Sequence, residues 1–146
     1  MRKSETKDWR PYKNTVPSNK LLESYCGEIG GTAFAEVKIE DDPYPYPREI
    51  DAVRFATGTR KLKTWSREDG EFNEQLSRAK RNGKVVEIIE VITPKITRGV
   101  IGQLVVGRWL LEEKCVKVRM VLVCNRPPAA LKKLLKKHEI EVWSPS

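Results

Sequence analysis

Histidine occurs once in this chain and glutamine only twice, while the three cysteines are odd in number and far apart. A zinc site or a disulfide framework needs clustered or paired ligands. Cys26, Cys115 and Cys124 instead stand among apolar neighbours and read as reduced, mostly buried thiols. No apolar run approaches the roughly eighteen residues that cross a bilayer, and the start MRKSETKDWRPYKN has no apolar segment like a signal peptide. A soluble, cytoplasmic protein is the expectation. Few glutamines beside a heavy load of Lys, Arg and Glu lean toward a thermophilic source.

What is present in quantity is charge, with a net of +8 over 146 residues, a length suited to one domain with a real core. The bases are not spread evenly. Residues 1–20 carry six bases and two acids, 57–84 eight and four, and 114–146 eight and two, whereas 21–56 carries eight acids and three bases. A basic surface attracts polyanions such as nucleic acid through counterion release. An ordinary solvated face of a basic protein accounts for the same charge equally well.

The chain opens with an irregular basic arm over 1–18, in which Trp9 and Tyr12 can dock on the body. The remainder, 19–146, reads as a single α/β domain. NKLLESYCGEIGG is expected as a helix capped by Asn19 and stopped at Gly30-Gly31. TAFAEVKI and REIDAVRFA read as an antiparallel pair of strands. Strict alternation places Phe34, Glu36 and Lys38 on one face of the first, with Ala35, Val37 and Ile39 on the other. It likewise separates Ile50, Ala52 and Arg54 from Asp51, Val53 and Phe55 in the second. Between the strands, EDDPYPYP is neither helix nor central strand. Residues 57–83 read as a polar, exposed insertion with a possible short helix ending at Gly83. KVVEIIEVIT is a strand broken by Pro94, and ITRGVIGQLVVGRWLLEEK a strongly apolar helix with Ile101, Leu104, Val105, Trp109 and Leu110 inward. Its Gly99, Gly102 and Gly107 allow close approach to a sheet. VKVRMVLVC, PPAALKKLLKKH and IEVW supply a strand, an amphipathic helix and a last strand. The architecture expected is α/β, a mixed central sheet flanked by helices, parallel in its second half.

Carboxylates inside apolar strands need an edge, a partner or a metal, because burying one unpaired costs several kcal/mol or more. Glu87 and Glu90 interrupt a run of Val and Ile, and alternation sends them to opposite faces. Glu87 is expected to pair with a base on the opposite layer. Glu90 lies near the carboxyl end of its strand, where open α/β sheets expose their sites. Asp51 lies mid-strand, and an ion pair with Arg48, Arg98 or another base accounts for it as well as a functional role does. Two carboxylates from adjacent strands also make a hard, oxygen-rich site for Mg²⁺ or Mn²⁺. His138 ends a lysine-rich helix, where the helix dipole favours a cation without any catalytic role.

A helix with a Glu, an Ile-Asp strand, an apolar strand with a late Glu and a following helix with a Gln together resemble the PD-(D/E)XK nuclease superfamily, which includes restriction endonucleases and archaeal Holliday-junction resolvases. REIDAVRFA is similar to the strand bearing the family's metal-binding Asp, which falls on Asp51. EIIEVI is similar to the Glu-X-Lys strand, with its acid at Glu90, and GVIGQLVVGRWLLEE to the next helix, with its glutamine at Gln103. VLVCNRPPAALKKLLKKHEIEVW resembles the closing β-α-β of archaeal nuclease-like members. The resemblance spans about 20–143. It implies a restriction-endonuclease-like fold and Mg²⁺- or Mn²⁺-dependent cleavage of DNA, with a homodimer as a further possibility. The helix-borne acid falls on Glu23, with Glu28 as the alternative. The family's lysine falls on Ile92, which can neither activate water nor offset phosphate charge; Lys95 and Lys38 are substitutes, and Glu36 shares the strand of Lys38. Arg60, Lys61 and Lys63 in the insertion, with Lys132, Lys133, Lys136 and Lys137, would grip the nucleic-acid backbone. A nuclease-fold protein that has lost catalysis and binds nucleic acid or a protein partner is the alternative, motivated by Ile92.

Overall fold

The computed structural model describes residues 17–39, 48–92, 99–114, 116–126 and 129–145, with the side chains of residues 17–19 and 48 outside that description. The arm over 1–16, the proline-rich loop, Pro94, Lys95, Arg98, Cys115 and Pro127-Pro128 therefore lie outside the described residues, as do the side chains of Asn19 and Arg48. The elements are α1 (Pro17–Ile29), β1 (Gly31–Ile39), β2 (Arg48–Phe55), β3 (Arg60–Thr64), α2 (Gly70–Asn82), β4 (Val85–Ile92), α3 (Gly99–Glu112), β5 (Lys117–Cys124), a 3₁₀ turn (Ala129–Leu131), α4 (Lys132–Lys137) and β6 (Ile140–Trp143). The six strands form one mixed sheet in the order β3-β1-β2-β4-β5-β6. β2 runs antiparallel to both β1 and β4, while β4, β5 and β6 are mutually parallel, as the β-α-β pattern of the second half implies. No described helix is long and apolar enough to cross a membrane.

Two apolar clusters lie on opposite faces of this sheet. On one face Leu21, Leu22, Tyr25 and Cys26 of α1 cover Ala33, Ala35, Ala52, Ile89 and Val121. On the other, α2, α3 and α4 contribute Phe72, Leu104, Leu111 and Leu135 against Phe34, Val53, Ile88 and Leu122. Each large side chain withdrawn from water in this way contributes about 1.5–3 kcal/mol. α3 sits closest at Gly107, where a Cβ would come within 2.8 Å of Ile50 Cδ1. Gly102, expected to serve the same purpose, has open space above it, and Trp109 is 47% exposed rather than inward.

Residues 57–83 are more ordered than an exposed insertion implies. β3 pairs in parallel with β1, and α2 starts at Asp69, whose carboxylate accepts the Glu71 N–H, and stops at Gly83 in the left-handed conformation. Phe72 packs edge-on against Phe34 and Phe55, with ring centroids 5.2 and 5.6 Å apart. This anchors α2 to the core.

The regular alternation expected in β1 and β2 breaks at one place. Partners run from Thr32 with Phe55 to Ala35 with Ala52, then resume at Val37 with Ile50, so Glu36 and Asp51 are skipped. Glu36 adopts φ = 57°, a left-handed conformation costly for a residue with a Cβ. Each strand inverts its phase there. Val37 and Ile39 join Phe34 in one cluster, and Ile50 joins Val53 and Phe55, where strict alternation would have parted them.

Candidate functional site

The interruption falls where β2 and β4 cease to pair. Their ladder ends at Ala52 with Ile89, yet β4 stays paired with β5 through Ile92. Past that point two side chains replace the ladder. The Asp51 N–H donates to Glu90 Oε2 at 3.0 Å, and the Val91 N–H donates to Asp51 Oδ2 at 2.8 Å. Each carboxylate is thus held by the strand that carries the other. Among the described residues, nothing hydrogen-bonds to Asp51 Oδ1 or Glu90 Oε1.

Burial pushes Asp51 up to about 6 against the pull of the Val91 N–H, with the charges of Glu49 and Glu36 adding to the rise. Glu90 is pushed up to about 8, by burial first, then by the Asp51 and Glu49 charges. No described lysine or arginine forms an ion pair with either group, and no described cation contributes to either shift. The result is a pair of anchored carboxylates with a shared surplus of negative charge. Glu49 was not singled out in the sequence, although Glu-Ile-Asp at period two is the signal that could have found it.

The donor set suits a hard divalent cation. Mg²⁺ commonly takes one or two protein carboxylates and completes its shell with water and substrate phosphate oxygens. No described group of three or more His, Cys, Asp or Glu side chains is placed to hold a metal by protein ligands alone. Asp51 Oδ1 and Glu90 Oε1 are the oxygens that no described donor engages.

The other residues expected at the site lie on several elements. Glu90 follows the alternation of β4 onto the face of Ile88 and Ile92, which belong to the cluster beneath α3. α1 covers the opposite face, where Glu23 is exposed and Glu28 accepts from Trp143 Nε1 at 3.2 Å. Gln103 is on α3 but exposed, with its neighbours Ile101 and Leu104 turned to the sheet. Ile92 is 4% exposed within the core, and Lys38 is exposed on β1 opposite Glu49. Lys95 lies outside the described residues.

Of the expected phosphate-gripping bases, two are already engaged. Lys61 Nζ sits 2.8 Å from Glu71 Oε2, and Lys63 Nζ 3.1 Å from Asp69 Oδ2 and 3.2 Å from Glu71 Oε1. Both lysines tie β3 to the start of α2. Arg60, Lys132, Lys133, Lys136 and Lys137 are exposed, and no ion pair with another described residue engages them.

Glu87 does pair with bases, although they come from its own sheet rather than the opposite layer. Its Oε2 lies 3.3 Å from Arg54 Nη1 and 3.2 Å from Arg119 Nη2, while the layer above supplies the Tyr25 hydroxyl, which donates to Oε1. Arg54 also donates to the Gly30 carbonyl at 2.8 Å. Burial pushes the Tyr25 phenol well above its ordinary range, and it pushes the nearby Cys26 thiol up to about 12, which leaves that cysteine inert. Glu87 has two cationic partners, whereas among the described residues Asp51 and Glu90 have none. No known family model, curated protein or solved structure matches the chain.

Proposed function

We infer that the chain is a divalent-cation-dependent nuclease of the PD-(D/E)XK type, with Asp51 and Glu90 as the acids of its site. The observation that carries this reading is the reciprocal anchoring of the two carboxylates at the end of the β2–β4 ladder, without a described counter-cation. Mg²⁺ or Mn²⁺ held there would supply positive charge at a scissile phosphate and lower the pKa of a bound water. The protein's own contribution is positioning. The Val91 and Asp51 N–H groups fix one oxygen of each carboxylate and would leave the other for the ion. Exposed Lys132, Lys133, Lys136 and Lys137 supply sequence-independent contacts to a nucleic-acid backbone.

A second reading is favoured by Ile92. In the family's pattern that position holds a lysine, and here it is buried among apolar neighbours. A nuclease fold that binds nucleic acid without turnover has this character.

Incubation with branched, single-stranded and duplex DNA in Mg²⁺ or Mn²⁺ separates the two. The first reading expects cleavage that Asp51→Asn and Glu90→Gln abolish. Salt-sensitive binding with no cleavage selects the second, and cleavage undiminished in both variants defeats the first.

A further inference from the structure

At the other end of β4 lies a cavity of about 250 Å³, lined in part by Phe55 and Ala79. Five residue steps along the strand, roughly 17 Å, separate its edge at Val85 from Glu90, and it shares no residue with the carboxylate pair. Its size is just below the range of about 300–1,000 Å³ typical for drug-sized ligands, which suits a small ligand.

Both walls are held by hydrogen bonds. One is the loop after β2, where the Thr57 hydroxyl lies 2.8 Å from that of Thr32 and 2.9 Å from that of Thr59. The Gly31 N–H donates to the Thr59 carbonyl at 2.8 Å, which ties this loop to β1. The other wall is the last turn of α2, closed by N–H groups of Gly83 and Lys84 that both donate to the Ala79 carbonyl. A preformed cleft of this kind loses little entropy when a ligand enters.

The rim has a consistent chemistry. Gln75 and Asn82 carry amides that donate and accept, as the edge of a nucleobase requires. The charged groups lining the cavity, Arg78 and Lys84, are both cations, and no acid lines it. Arg78 pairs with Glu74 at 3.1 Å, but their side chains are 56% and 60% exposed, so the pair is readily exchanged. Lys84 is exposed and forms no ion pair with another described residue. Two amides and two cations around a partly apolar lining match a body that carries hydrogen-bonding edges and a phosphate.

We propose that this cavity binds a nucleotide, with its base between the loop after β2 and the last turn of α2 and its phosphate toward Arg78 and Lys84. The nucleotide is either free or part of a single strand. The site stands whether or not Asp51 and Glu90 cut DNA, and it is tested without metal.

The full chain, in EDTA, is titrated with nucleoside 5′-monophosphates, with inorganic phosphate and with a short single-stranded oligonucleotide, and backbone amide shifts are followed by NMR. Mononucleotides are expected to shift residues 55–58 and 75–85 and to bind at least about tenfold more tightly than phosphate. Arg78→Ala and Lys84→Ala each weaken binding several-fold, whereas Asp51→Asn leaves it unchanged. An oligonucleotide that binds here about tenfold more tightly than the mononucleotides identifies a strand as the source. Equal affinities identify a free nucleotide. Phosphate binding as tightly as the mononucleotides, shifts confined to other residues, or no binding in either nucleotide arm overturns the proposal.

Discussion

Asp51 and Glu90 each hold the other's strand: the Asp51 N–H donates to Glu90 Oε2, and Asp51 Oδ2 accepts from the Val91 N–H, at 3.0 and 2.8 Å. Two backbone N–H groups that the ladder would have satisfied are satisfied by acids instead. The sheet is thereby closed by groups whose charge depends on pH and on a ligand.

That dependence sets a pH profile. Both carboxyls have folded-state values above their unfolded ones, which are near 4, with Asp51 raised to about 6 and Glu90 to about 8. The native state therefore holds extra protons between about pH 4 and 8, so the stability they contribute is complete at the acid end and lost as pH rises through this window. Thermal melts in EDTA should fall across it, and Asp51→Asn or Glu90→Gln should flatten the fall, with a gain on the order of 2 kcal/mol at about pH 8. Millimolar Mg²⁺ or Mn²⁺ should raise the wild-type Tm near pH 8 and have little effect near pH 5, since the ion competes with protons.

Ile92 and Ile88 flank Glu90 on the same face of β4, and both are buried. Ile88→Lys places an ammonium under the core of α3 and should prevent folding. Ile92→Lys should fold at a cost of about 1–3 kcal/mol, because Glu90 and Asp51 can pair with the new charge. On the nuclease reading it raises cleavage at least about tenfold, equivalent to about 1.4 kcal/mol of barrier. Equal destabilisation by both substitutions would show that the Ile92 position does not reach the acids.

The Glu87 network responds differently. Arg54 and Glu87 side chains are 9% and 5% exposed, so Glu87→Ala strands a buried guanidinium and should cost about 3–5 kcal/mol in chemical denaturation. Arg119 is 46% exposed, and Arg119→Ala should cost under about 1 kcal/mol. Combining Glu87→Leu with Arg54→Met should recover much of the loss, since replacing both ions removes the desolvation cost along with the attraction.

The lysines divide into two groups. Lys61→Ala and Lys63→Ala should each lower stability by about 1 kcal/mol or less, because the ties to Glu71 and Asp69 are broken, without altering the salt dependence of nucleic-acid binding. Alanine at Lys132, Lys133, Lys136 and Lys137 should leave the melt almost unchanged. It should also reduce the slope of log K against log salt by about 0.9 for each duplex phosphate that is no longer neutralised.

The chain's own periodicity determined the α/β class, the parallel second half of the sheet, the stop at Gly83 and the placing of Glu87 and Glu90 on opposite faces of β4. These follow from backbone geometry within a few residues, and β4 keeps its alternation throughout. Tertiary structure alone decided the phase inversion at Glu36 and Asp51, because REIDAVRFA alternates regularly as a string and breaks only when laid against β1 with both residues skipped. The engagement of Lys61 and Lys63, the outward turn of Gln103 and the Arg54 and Arg119 partners of Glu87 were decided there as well. Such pairings depend on which strands become neighbours. The hydrogen bond that defines the candidate site joins Val91 to Asp51 across forty residues, a separation at which local pattern carries no information about proximity.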